Sequence, residues 1–143
     1  MRNVRRWLPL VLGLLVAVPA SAAPVAKRDV CIVAPTGGGS FNTFILRDVE
    51  ALAPGRAILL RGLFFTGAQK VAPVHGSAAR AMDGSVRLGL FVHSSAASTN
   101  DFTVAGVTDT DFVGVLSYDN DGDYRPNGTL VMEPRDCDTI TIP

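Results

Sequence analysis

From residue 30 onward, apolar and β-branched residues come in short runs, each closed by glycine, proline, asparagine or aspartate. The runs at 30–34, 44–52, 57–66, 72–81, 86–93, 102–108, 112–118 and 129–133 predict eight strands, with a short extended tail at 139–142. The separators carry turn chemistry: Thr36-Gly37-Gly38-Gly39-Ser40, Pro54-Gly55, Gly67-Ala68-Gln69-Lys70, Asp83-Gly84, and the polar stretches 94–100, 109–111 and 119–128. Pro54-Gly55 suits the centre of a type II turn, and Asp83-Gly84 suits a tight hairpin. Segment 44–52 also shows Ile45, Val49 and Leu52 at helical spacing behind Asn42 as N-cap. The following Pro-Gly turn favours a strand there.

Two features bear on how the strands assemble. Gly62, Gly76, Gly89, Gly106 and Gly114 each fall inside a predicted strand, where glycine weakens the strand unless sharp coiling or a close approach requires it. Ile58-Leu59-Leu60 and Leu63-Phe64-Phe65 are apolar on both faces, unlike a strand with one wet side. Together they predict an all-β fold, a small antiparallel up-and-down barrel of about eight strands. A two-sheet β-sandwich is the alternative with the same strand count. Leu63, Phe65, Leu88, Leu90, Phe102 and Val104 are the interior candidates for holding a ligand.

The first 22 residues read differently. Arg2, Arg5 and Arg6 precede the apolar run 8–20, and Ala20-Ser21-Ala22 supplies a small-x-small cleavage pattern. The run is broken by Pro9 and Pro19 and is shorter than the roughly 20 residues a span needs. The domain plan is therefore a cleaved secretory signal peptide at 1–22, a flexible leader at 23–29 and a single all-β domain at 30–143. The protein is expected to be exported, to the periplasm or beyond the cell, with no membrane span after cleavage.

Composition narrows the function. With 48% apolar and 18% charged residues, the 143-residue chain is too hydrophobic for disorder and long enough for one domain. The formal net charge is 0; cleavage removes three arginines and no acid, leaving −3, so no basic field points to nucleic acid. Charge is uneven, with 8 basic and 4 acidic residues in 23–100 but 2 basic and 9 acidic in 101–143. Cys31 and Cys137 are the two cysteines, and in an oxidising compartment they are expected to pair.

No nucleophile elbow, zinc-protease helix, Cys-x-x-Cys or phosphate loop is legible, so a non-enzymatic role is expected. His75 and His93 lie on adjacent predicted strands. A two-residue Asp83-Gly84 turn sets His75 opposite Val92 and the imidazoles on opposite faces; a bulged turn brings His75 and His93 directly across from each other. Asp119, Asp121 and Asp123 alternate like the start of a calcium loop, but Tyr124 and Leu130 stand where that loop needs glycine and a closing acid. Such a site would be structural and weak; no other cofactor is implied. These features predict an exported binding protein that holds a small apolar ligand or a secreted protein partner. The alternative is an interaction module, such as an inhibitor of a secreted hydrolase, acting through the acidic loop 119–123.

Overall fold

A computed structural model describes residues 24–36, 39–67, 71–93, 101–119 and 128–143. The proposed signal peptide lies outside the described residues. Eight strands follow one another as β1 (Lys27–Pro35), β2 (Phe41–Glu50), β3 (Ala57–Thr66), β4 (Ala72–Arg80), β5 (Val86–Val92), β6 (Phe102–Thr108), β7 (Gly114–Asp119) and β8 (Gly128–Arg135). Each pairs antiparallel with the next, and β8 returns to β1, so the sheet is a closed barrel rather than a sandwich. The segment read at 44–52 is strand rather than helix, but β2 starts earlier, at Phe41, and ends at Glu50, with Ala51 and Leu52 beyond it.

Alternation sorts the side chains. Along β3, Ile58, Leu60 and Phe64 point inward while Leu59 and Arg61 are exposed; along β5, Val86, Leu88, Leu90 and Val92 point inward. Phe44, Phe64 and Phe102 pack on one another near one end of the barrel, with ring centroids 5.0 Å and 4.9 Å apart for the Phe44–Phe64 and Phe64–Phe102 pairs. At the other end Phe112, expected in a strand, belongs instead to the turn between β6 and β7 and is buried at φ +62. Asp109 fixes that turn by accepting N–H bonds from Asp111 (2.8 Å) and Val113 (2.9 Å). Burying the phenylalanine outweighs the left-handed backbone it requires.

Two inward glycines let the sheet curl. A Cβ on Gly62 would lie 2.0 Å from the Ile45 carbonyl oxygen, and one on Gly76 2.0 Å from that of Gly89. No side chain fits there. Gly89 itself points outward into open space.

Strand β1 begins at Lys27, inside the segment read as a leader. Two contacts pull it in. Lys27 lies 3.4 Å from Glu50, its register partner on β2, and Asp29 organises a bulge. The β1–β2 register passes from Arg28↔Val49 to Val30↔Leu46, so Asp29 faces both Arg47 and Asp48, and Asp48 takes φ +53. The Asp29 carboxylate accepts from the Arg47 guanidinium and from the Asp48 N–H (3.1 Å), and Arg61 donates to Asp48 (2.7 Å). The bond to Arg47, then that from the Asp48 N–H, holds the Asp29 carboxyl below its ordinary value of 3.8.

The closing ladder is the shortest. Strands β1 and β8 share three residue pairs, Cys31↔Arg135, Ile32↔Pro134 and Val33↔Glu133, against five to eight in the other ladders. Pro134 has no N–H to give it. Beside this seam Cys31 is disulfide-bonded to Cys137, with Cα atoms 5.3 Å apart and a sequence separation of 106. The expected pairing is present. Past the bond the chain is not the short strand read at 139–142. Asp136 caps a 3-10 turn, Cys137–Thr139, by accepting from the Asp138 N–H, and the last residues run as an irregular strap over the outside of the barrel.

Three outcomes follow from this packing. Gly76→Ala should cost about 2–3 kcal/mol, because backbone must move, whereas Gly89→Ala should be neutral or gain up to about 1 kcal/mol by stiffening the unfolded chain; urea unfolding of both variants checks the contrast. Replacing Cys31 and Cys137 by serine should lower stability by up to about 4–5 kcal/mol, the chain-entropy value for so long a loop, measured by denaturant titration of the variant against the oxidised protein. The lowered Asp29 value means its contribution is complete above 3.8 and is lost as pH falls through the folded-state value. Asp29→Asn should therefore remove less than about 1 kcal/mol at neutral pH, since the pair is solvent-screened, and should flatten the acid limb of a stability–pH profile.

Candidate functional site

The barrel interior is the first place to look for a ligand, and it is occupied by the protein's own side chains. Leu88, Leu90 and Val104 point inward and are buried, and Phe102 points inward, half-buried against Phe44 and Phe64. Ile32, Phe44, Leu46, Val86, Val92, Val104, Phe112, Leu116 and Met132 are each less than 2% exposed, which leaves next to no water-sized space beside them.

Leu63 and Phe65 are not interior residues. On β3 the inward set is Ile58, Leu60, Gly62 and Phe64, so its odd-numbered neighbours face out. They are sheltered because the strap covers them: Cys31, Ile45 and Phe65 form a second apolar cluster outside the barrel, joined by Leu63, Val71, Cys137 and Ile140. The double-sided apolar runs thus have two causes, a filled interior and a covered outer face. Sequence reasoning assigned both to the interior. The signal for the cover was the apolar stretch Cys31-Ile32-Val33-Ala34, buried on both faces of a strand.

Between strap and strands lies a groove of about 240 Å³. Its apolar lining comes from Val33, Phe41, Phe65 and Ile140; Thr43, Thr139 and Thr141 add hydroxyls, and Arg135 is its charged residue. The Arg135 guanidinium carbon lies 5.5 Å from the centre of the Phe41 ring. Among the described residues Arg135 makes no ion pair, not even with Glu133 two positions back on its strand. Another exposed apolar feature is flat: Val107, Val115 and Val131 pair across β6, β7 and β8 on the outer face. A flat row touches a small molecule on one side, whereas the groove offers walls from strands and strap.

The histidines match neither expected arrangement. The β4–β5 hairpin closes with the three-residue loop Met82-Asp83-Gly84: the Ala81 N–H donates to Ser85 O (2.8 Å), the Gly84 N–H to Ala81 O (3.1 Å), and Gly84 has φ +93. The Asp83 side chain favours that loop by accepting from the Ser85 hydroxyl (2.7 Å) and N–H (2.9 Å), which hold its carboxyl below the ordinary value. The register places His75 opposite Phe91, and the His93 N–H bonds Pro73 O. Both imidazoles therefore sit on the outer face with the Phe91 ring between them, at centroid distances of 5.0 Å and 6.2 Å. His93 Nδ1 lies 3.2 Å from an Asp101 carboxylate oxygen. The intervening ring separates the two imidazoles that an acid–base or two-histidine metal site would need together.

Asp119 ends β7 and is nearly buried; Asp121 and Asp123 lie outside the described residues. Among the described residues no three histidine, cysteine or acidic side chains gather in a metal-binding arrangement, and no helix is long and apolar enough to cross a membrane. The disulfide is the chemistry of an oxidising, non-cytoplasmic compartment. The chain matches no family model, no curated protein and no solved structure.

Proposed function

We propose that the protein is an exported, non-enzymatic binding protein that holds a small, largely apolar ligand against the outside of its barrel, in the groove beneath the C-terminal strap. The observation that carries this reading is the contrast between a filled interior and an open, apolar-walled groove of about 240 Å³. A ligand entering the interior would have to displace side chains packed at near-zero exposure, opening space that the barrel does not hold. One placed in the groove meets walls already in position. The bond between Cys31 and Cys137 tethers the strap to β1, so little ordering is left for the moment of binding.

A neutral fluorescent apolar dye, Nile red, titrated into the oxidised protein should show saturable binding. Phe41→Ser combined with Ile140→Ser, which strips two walls without touching the interior, should weaken it roughly tenfold. Undiminished dye binding in that double variant, with native far-ultraviolet circular dichroism retained, rejects the groove.

A further inference from the structure

We infer that the groove selects an amphipathic carboxylate, a short aliphatic acid whose chain lies along Phe65, Ile140 and Val33 and whose carboxylate pairs with Arg135. This rests on the reading of the groove as the ligand site and adds the chemistry of what fills it. Arg135 is the charged residue of an otherwise uncharged lining, and no acid of the described residues neutralises it. Its contact over the Phe41 ring uses none of its N–H donors in a hydrogen bond, so the planar fork remains available for a two-oxygen anion. Phe41 also fixes where the guanidinium stands, at one wall of the groove, which spares part of the side-chain ordering that an unsupported arginine would undergo on binding.

Size sets how much of a chain the groove can cover. A volume of about 240 Å³ suits roughly six to ten carbons, and because the groove is open to solvent, any further length would lie exposed and add little. Thr43 and Thr141 line the same groove and bring hydroxyls that can donate to a carboxylate or its hydration water without adding charge, whereas the Thr139 hydroxyl already donates to the Asp136 carbonyl (2.7 Å). An aliphatic amine would place its cation beside Arg135 and is excluded by repulsion; an alcohol of the same length fills the apolar walls but leaves the fork unpaired.

Displacement of bound Nile red by octanoate, octanol and octylamine tests this. With the oxidised protein, octanoate should compete at a concentration about tenfold or more below octanol, with octylamine the poorest. In Arg135→Gln the preference of octanoate over octanol, each measured against the dye affinity of that same variant, should fall to near unity, and Arg135→Lys should restore part of it. Equal competition by octanoate and octanol in the native protein, with the dye still lost in the Phe41→Ser, Ile140→Ser variant, overturns the carboxylate and leaves the groove standing. A preference for octanoate that survives Arg135→Gln overturns it as well, because the anion is then held elsewhere. A short peptide with a free C-terminal carboxylate that outcompetes octanoate would assign the fork to a chain end and overturn the aliphatic acid. Failure of the dye itself to respond to the groove substitutions removes the underlying reading instead.

Discussion

Closure of the barrel depends on the meeting of its first and last strands, and that meeting is the least favoured of the eight ladders. Three residue pairs join β1 to β8, and one of them contains a proline that can donate nothing. An open ribbon would expose two strand edges and the apolar row of Ile32, Leu46 and Met132, all of which the closed form buries. The seam is held from both sides. Inside, Ile32 and Met132 belong to the continuous core; outside, the bond from Cys31 to Cys137 ties the segment that follows β8 to β1 itself. Covalent reinforcement falls where hydrogen bonding is thinnest.

The same bond decides what the outer surface looks like. Past Cys137, which is fixed to β1, the chain runs along the outer face of the neighbouring strands, and Ile140 packs there on the cluster of Cys31, Ile45 and Phe65. The barrel therefore has an inner core and a smaller outer one, separated by the thickness of a single sheet. The groove is the part of that outer layer which the strap does not fill, and the tether that shapes it lies beside it.

Much of the architecture was legible in the residues. The turn dipeptides and β-branched runs mark all eight strands, and glycines at Gly62 and Gly76 mark where neighbouring backbones touch, which is why a closed barrel was the better reading than a sandwich. What was not legible shares one cause: side-chain direction depends on register, and register depends on single residues of loop. The Met82-Asp83-Gly84 loop holds one residue more than the two-residue turn that Asp-Gly evoked, and this alone moved His75 from Val92 to Phe91. Leu63 and Phe65 were misplaced because a strand that is apolar on both faces gives no hint of which face the core takes; the inward residue between them, Phe64, is equally hydrophobic. The groove had no local signature. It is assembled from β1, β2, β3, the end of β8 and the strap, segments up to about a hundred residues apart, and only the disulfide brings the last of them into place.

The meander also fixes the order in which the fold can be completed. A chain made from its first residue to its last holds seven strands in sequence before β8 exists, and until then β1 has a partner on one side only. The contacts that finish the molecule, the three-pair ladder and the sulfur bridge behind it, are also those most distant along the chain, the slowest kind to form. A chain made in sequence must therefore expose all of β8 before the first strand can find its second neighbour: paused before Gly128 it holds an open sheet, and paused between Arg135 and Cys137 it can close the ladder but not lock it.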